Sequence, residues 1–303
     1  MLMDWYFDWD GTITQKDTLS LLASIGYQQN ANHNLPPWSF FSEAYTSGLK
    51  RLQGEYQRSN DTQTLENYIV WQTSLLDVER ASVERVEEAG VFNNVTATEV
   101  DSSARVAVES KTIRFRNGLA SLLEYIARST ESLTIISVHW SARFIRACLE
   151  TASEFHDANR TLSIKVLANE IDVTAGSGKL AGPAEQTNHG IRTASDKATV
   201  LEQEIDRSGR HRPSVYVGDS VGDLQCLLKA DIGICVRHDP LSHEQQHLST
   251  TLSDLGIDCD WIGQYTVQAF RVERQLWWAK DFQEVQCSPL LGKTVQDALE
   301  KGR

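Results

Sequence analysis

The residues of this chain best suited to chemistry are carboxylates that follow apolar runs. Asp8 and Asp10 come at the end of Trp5-Tyr6-Phe7, and Asp219 closes Val215-Tyr216-Val217-Gly218, with Asp223 one helical turn later. In extended chain, residues two apart leave on the same face, so Asp8 and Asp10 would project together from a strand end. Four carboxylates converging on one crevice repel each other strongly unless a cation sits among them. Hard oxygens with no accompanying His or Cys pattern suit Mg2+. An Asp-Gly pair after an apolar run is also the usual mark of a hairpin turn. Against the hairpin, a helical pattern rather than a second strand follows Gly11-Thr12.

The elements that would carry these residues can be traced along the chain. Met1 to Asp8 reads as a buried strand ending at a turn that Gly11 permits. From about Thr18 to Thr112 the texture is helical: Phe41, Tyr45, Leu49, Leu52 and Tyr56 follow four- and three-residue steps, as do Leu65, Ile69, Gln72, Leu76 and Val83. After Gly118, strands and helices alternate. The strands are expected at 133–137, 163–168, 214–219 and 232–236, and the helices at 119–127, after a Ser141 cap, at 195–205 and at 221–230. Such alternation implies a doubly wound parallel α/β sheet, interrupted after its first strand by a helical block. Open sheets of this kind bind ligands at the carboxyl ends of their strands, where the aspartates stand. The tail from Asp260 to Arg303, with Phe270, Leu276, Trp277, Trp278 and Phe282, is expected to pack back on the core.

Composition sets the outer limits. The chain has 303 residues, 41% of them apolar, enough to bury a sizeable core. A net charge of −12 leaves no basic stripe to neutralise phosphates, which argues against nucleic acid as a partner. No apolar run approaches the roughly 20 residues that span a bilayer, which argues against a membrane partner. Five scattered cysteines without a C-x-x-C pair match neither a disulfide framework nor a zinc site. With no room for a basic and apolar leader before the first strand, the expectation is a protein of the cytoplasm or nucleus. Oligomeric state is left open.

Four segments in order resemble the motifs of the haloacid-dehalogenase-like (HAD) superfamily. Phe7-Asp8-Trp9-Asp10-Gly11-Thr12-Ile13-Thr14 is similar to the first, and Ser137 after Ile135-Ile136 matches the second. Lys197 in Ser195-Asp196-Lys197-Ala198 matches the third, and Gly218-Asp219-Ser220-Val221-Gly222-Asp223 the fourth. The match covers roughly residues 1–17 and 113–240, and any one motif alone would be weak. The helical block resembles the C1-type cap of phosphoserine-phosphatase-like members. Residues Asp219 to Ile234 are similar to fungal HAD-like hydrolases and to the plant thiamine monophosphate phosphatase domain. The resemblance implies a HAD-like core at 1–17 and 113–303 with an inserted cap at 18–112.

It also implies a chemistry. Asp8 would attack phosphorus and form an aspartyl-phosphate, and Asp10 would protonate the leaving alkoxide and then activate water. Dehalogenases of the superfamily typically lack the second Asp, so its presence favours phosphate chemistry. Mg2+ would be held by the Asp8 carboxylate, the Asp10 main-chain carbonyl and Asp219, with Asp223 in support. Ser137 and Lys197 would bind the phosphoryl oxygens. Lysine in the first turn of a helix opposes the macrodipole, which suits an anion ligand better than a structural role. Lys179 is the rival, in surroundings that read as a loop. His139 and Trp140 could line the pocket mouth. Asp17 stands where phosphoserine phosphatases carry an acidic residue for the substrate ammonium, although helix capping alone would explain it. The expected activity is Mg2+-dependent hydrolysis of a small phosphorylated metabolite. A phosphomutase of the same fold is the nearest rival, and a non-catalytic interaction protein is the other. A scaffold would have no need of Asp8, Asp10, Ser137, Lys197 and Asp219 together.

Overall fold

The first strand, β1 (Asp4–Phe7), is buried at all four positions in the computed structural model, which describes residues 2–31, 33–59, 64–129, 132–155, 162–183, 190–209, 212–264 and 275–291. A strand covered on both faces reads as continuous apolar chain. Its residues divide by the two-residue period of the pleat: Trp5 and Phe7 join one buried cluster, Tyr6 another. The parallel partners β2 (Ser132–Ile136) and β6 (Ser214–Gly218) flank β1 on either side. Further out lie β3 (Ile164–Leu167) beside β2, and β7 (Ile232–Val236) beside β6. The whole sheet has seven parallel strands in the order β3-β2-β1-β6-β7-β9-β8, with β8 at Asp258–Trp261 and β9 at Gln275–Ala279. A short antiparallel pair, β4 (Glu170–Ile171) and β5 (Leu180–Ala181), stands apart from it.

Among the described residues, five α-helices follow β1 before the chain enters β2: α1 (Leu19–Gln29), α2 (Trp38–Ser59), α3 (Leu65–Ser74), α4 (Leu76–Glu88) and α5 (Ala97–Glu109), with α6 (Leu119–Arg128) after them. The apolar steps from Leu65 to Val83 suggest one helix, but the chain breaks it at Leu75, whose N–H turns back to the carbonyls of Gln72 and Thr73. α6 and α7 (Ala142–Thr151) cover the Trp5–Phe7 face of the sheet, and the same apolar cluster continues into α1 and α5. The opposite face is covered by α8 (Ala194–Arg207), α9 (Leu224–Lys229) and α10 (His243–Asp254). Among the described residues, no helix is long and apolar enough to cross a membrane.

The tail does more than pack back. It contributes β8 and β9 to the sheet, followed by α11 (Phe282–Cys287) and a 3-10 turn at Pro289–Leu291. Phe282, fully buried, stacks on Phe7 at 5.2 Å between ring centroids. Phe270 and residues 292–303, included in the expected tail, lie outside the described residues.

The consequence for function lies at the middle of the sheet. The chain winds outward from β1 through β2 to β3 on one side, and from β6 to β7 on the other. The connections therefore diverge at the β1–β6 boundary and leave a crevice at the carboxyl ends of these two strands. Asp8 follows β1 there and Asp219 follows β6.

Phe282→Ala removes a ring packed against the central strand and should destabilise the protein by about 3–5 kcal/mol in urea unfolding. A loss below about 1 kcal/mol would show the tail to be peripheral.

Candidate active site

The chain leaves β1 at Asp8 and enters a five-residue turn, Trp9–Ile13, rather than a hairpin. The N–H and hydroxyl of Thr14 close it by donating to the Trp9 carbonyl at 3.1 and 3.2 Å. Gly11 adopts φ 74°, and a Cβ placed on it would stand 2.3 Å from Oδ2 of Asp219. Backbone conformation and close approach both require glycine here. Arg116, 4% exposed, braces the turn from below. Its guanidinium donates to the carbonyls of Gly11, Thr12 (2.9 Å) and Lys280 (3.3 Å). No motif marks this arginine in the sequence.

Lys197, from the first turns of α8, reaches across the crevice. Its Nζ donates to Asp8 Oδ1 at 2.7 Å and to Asp223 Oδ1 at 2.5 Å. α8 starts there because Thr193 and Asp196 cap each other reciprocally. Asp223 has no exposed surface and its oxygens are well occupied. Oδ1 also accepts from the Tyr216 hydroxyl at 2.9 Å. Oδ2 accepts from the Asp219 N–H (3.1 Å), the Ser220 N–H (3.2 Å) and the Ser220 hydroxyl (3.2 Å). Asp219 is far less satisfied, with long contacts from Thr12 Oγ1 (3.3 Å) and Gln245 Nε2 (3.5 Å). Thr12 also lies 3.4 Å from Asp8 Oδ2, so its hydroxyl sits between the two carboxylates.

These distances have electrostatic consequences. Burial, with Asp223 close by, lifts the Asp8 carboxyl up to about 6 despite the opposing Lys197 ammonium. Burial, then Asp223 and Asp8, push Asp219 well above the usual carboxylate range. Burial works against the charged form of Lys197, yet Asp223 and Asp8 hold it above the ordinary lysine value. One oxygen each of Asp8, Asp219 and Asp223 falls within 4.8 Å of the others. An all-oxygen, buried donor set in which Asp219 is left with only long contacts fits a hard divalent cation.

Asp10 belongs to the same crevice, but its carboxylate turns away from the other three. Oδ1 accepts from the N–H (2.8 Å) and hydroxyl (2.6 Å) of Thr18. Burial, then the neighbouring Asp17, raise its pKa well above the ordinary value. The turn at Trp9, rather than strand alternation, thus sets the relation of Asp8 to Asp10. Ser137 is buried just beyond β2, its N–H donating to the Leu167 carbonyl and its Oγ accepting from the His139 N–H. The crevice is about 420 Å³ and is lined by Asp8, Asp10, Ser137, Lys197, Asp219 and His238, among others. Lys179 is exposed, just before β5, and is not among the residues that line this crevice.

A second cavity of about 370 Å³ adjoins the first, and Asp10, Asp17 and Val138 line both. Trp38, Phe41, Tyr45 and Trp140 supply its aromatic walls. Trp140 stands edge-on to Trp38 and Phe92 at 6.3 and 6.2 Å. Asp17 is exposed, stands one residue before the N-cap Thr18 of α1, accepts the Leu19 N–H at 2.9 Å and lines both cavities. His139 is buried, stacks on Phe144 and accepts the Ser141 N–H on Nδ1 at 3.1 Å. Burial lowers its pKa to about 4, which keeps it neutral. Glu79, absent from the sequence-based set, accepts the Tyr45 hydroxyl at 2.6 Å, and burial lifts its carboxyl to about 7. Thr12, Thr18, Arg116, Tyr216 and Gln245 were likewise unmarked. Thr12 stands inside the first motif and Thr18 soon after it, which is the signal that could have suggested them.

No family model matches the chain. It is 26% identical over 236 residues to a CTO1 family protein of Schizosaccharomyces pombe, spanning 76% of this chain and 80% of the relative. It is 21% identical over 286 residues to cold tolerance protein 1 of Saccharomyces cerevisiae, spanning 85% and 86%. With the bifunctional TH2 protein, mitochondrial, of Arabidopsis thaliana it shares 24% identity over 256 residues, 76% of this chain but 39% of that one. Similar solved structures include a phospho-aspartyl intermediate analogue of phosphoserine phosphatase, at 13% identity and TM-score 0.48, covering 94% and 98% of the two chains. Another is cytosolic 5'-nucleotidase IIIB bound to cytidine, at 16% identity and TM-score 0.45, covering 84% and 85%.

Two measurements probe this geometry. Gly11→Ala should cost about 1–2 kcal/mol from left-handed backbone alone, and should weaken Mg2+ binding in calorimetry by displacing Asp219. Unchanged Mg2+ affinity would contradict the close approach. Glu79 has a raised pKa in the folded state, so its ionisation opposes folding, and stability should fall as pH rises from its unfolded value near 4.5 through about 7. Glu79→Gln should therefore melt a few degrees above the unmodified protein at pH 8, at about 2–4 °C per kcal/mol, and level with it at pH 5. A difference independent of pH would refute the assignment.

Proposed function

We infer, from a chain that is haloacid-dehalogenase-like in its fold and in the order of its four motifs, that the protein is a Mg2+-dependent phosphomonoesterase working through an aspartyl-phosphate. The observation that carries this reading is the contact of Asp8 Oδ1 with Lys197 Nζ at 2.7 Å, at the carboxyl end of the central strand and beside Asp219. A nucleophilic carboxylate needs a cation to hold the incoming phosphoryl oxygens, and here the two groups already touch.

In this mechanism an Asp8 oxygen attacks phosphorus while the bond from phosphorus to the ester oxygen breaks. Asp10, whose raised pKa favours the protonated form, gives its proton to the departing oxygen. Asp10 then takes a proton from water as the water oxygen attacks phosphorus, releasing inorganic phosphate and the Asp8 carboxylate. Lys197 and Ser137 hold the non-bridging oxygens. Asp8, Asp219 and the Asp10 main-chain carbonyl would hold Mg2+, which when bound offsets the negative charge that a phosphate dianion must approach. Asp223, its oxygens already taken by protein donors, supports the site by fixing Lys197 and the 219–223 loop. Residues 18–112 act as a cap that keeps bulk water from the crevice.

The adjoining cavity bears on the substrate. Its aromatic walls suit a planar ring, and Asp17 and Glu79 suit a positive charge or N–H donors on that ring. The substrate is then a small phosphorylated metabolite whose alcohol carries such a ring.

A phosphate-release screen with Mg2+ over thiamine monophosphate, pyridoxal phosphate, nucleoside monophosphates and phosphoserine tests both parts. The ring-bearing esters should outpace phosphoserine, and no release from any ester would overturn the function. Asp8→Asn should abolish turnover with the fold intact. Asp10→Asn should slow alkyl phosphates far more than aryl phosphates, whose leaving groups need little protonation. Ca2+, which prefers more ligands at longer distances, should substitute poorly for Mg2+. Asp219→Ala should raise the Mg2+ requirement well beyond the effect of Asp17→Ala, and full activity after exhaustive chelation would refute the metal. In water labelled with oxygen-18, label should enter phosphate; return of the phosphoryl group to an alcohol instead would indicate a mutase.

A further inference from the structure

Gln72, from the helices between β1 and β2, bonds to the segment that carries Asp219 and Asp223. Gln72, in the last turn of α3, is 1% exposed. Its Nε2 donates to the Val221 carbonyl at 2.7 Å, and its Oε1 accepts from Gln225 Nε2 at 3.0 Å. The same Gln225 nitrogen donates to Ser195 Oγ at 2.9 Å, and Thr73, next to Gln72, lies 2.8 Å from that hydroxyl through its own Oγ1. The Val221 carbonyl only accepts, which fixes the orientation of the Gln72 amide.

The partners decide the meaning. Val221 lies within the loop that carries Asp219 and Asp223, and Ser195 lies two residues before Lys197. These two segments must keep their spacing for Lys197 to meet Asp223 at 2.5 Å and Asp8 at 2.7 Å. Gln72 and Gln225 together bond to both segments. We propose that Gln72 is a positioning residue: through Val221 and Gln225 it holds the 219–223 loop against the first turn of α8, so that Mg2+ loading of the carboxylates depends on α3. The proposal rests on the reading of the crevice as a metal-dependent site.

Gln72→Leu keeps most of the side-chain volume and removes both hydrogen bonds. Mg2+ affinity measured by titration calorimetry should fall about tenfold, the lower end of what loss of a supporting partner costs a metal site. At saturating Mg2+, kcat and KM for 4-nitrophenyl phosphate should both return to within about twofold of the parent values, because the loss lies in loading of the metal and Gln72 touches none of the reacting groups. Ser195→Ala cuts only the α8 branch and should show a smaller loss of the same kind. If Gln72→Leu does not fold, Gln225→Leu breaks the network from the other side under the same readouts. Unmodified Mg2+ affinity in the folded variant, whatever its melting temperature, overturns the proposal and leaves Gln72 a packing residue. A parent protein that binds Mg2+ but hydrolyses no ester would refute the phosphatase reading alone, since the calorimetric comparison still stands. A parent that binds no Mg2+ overturns both.

Discussion

The arrangement depends on one buried ammonium. Lys197 enters a crevice that already holds Asp8, Asp219 and Asp223, and it makes its two short contacts with nearly all of its surface removed from water. Taking such charges out of solvent costs several kcal/mol per ion, and attraction repays it only where the geometry is close and the remaining lone pairs are satisfied. Asp223 meets that condition with four further donors; Asp219 does not. The pocket thus keeps an excess of negative charge that its own cation does not offset. Much of the surrounding construction serves to hold that excess in place: the glycine turn, the Arg116 brace, the reciprocal cap of α8, and the Gln72–Gln225 link.

The division of labour between the two cavities follows from their linings. The inner one is acidic and lysine-bearing, while the outer has four aromatic side chains with a half-buried glutamate. Asp10 and Asp17 stand at the junction. In the mechanism proposed above Asp10 exchanges a proton with the departing fragment at this border, and the clamp of Thr18 on one oxygen of Asp10 leaves the other oxygen outside that clamp.

What was legible in the sequence was local. Asp8, Asp10, Asp219 and Asp223 stand out because each follows an apolar strand within a few residues, and the parallel sheet follows from strands alternating with helices. Lys197 was legible because a lysine in a helical first turn runs against the local field. Arg116 and Gln72 were hidden for the opposite reason. Their partners are backbone carbonyls and amides far away in the chain, and nothing in the neighbouring residues registers that. Glu79 lies among other charges on α4, and only its burial against Tyr45 sets it apart. The strand Asp258–Trp261 escaped notice because an edge strand carries polar residues that break the apolar run. Likewise, apolar spacing from Leu65 to Val83 carries no mark of the break at Leu75.

The placement of β1 also bears on how the chain is made. It precedes the other strands of the sheet in the chain and lies at its centre, yet its neighbours come from residues 132–136 and 214–218. One side of Trp5-Tyr6-Phe7 therefore has no native strand partner until translation has passed Gly218. Over that interval an apolar strand edge is open to pairing with other chains. The helices that follow β1 include α1, α2, α4 and α5, which share its apolar cluster and are available early to cover one face of it. The segment that lines the aromatic cavity in the folded protein would also shield the strand during synthesis, which ties the tolerance of that segment to change to yield as well as to the shape of that cavity.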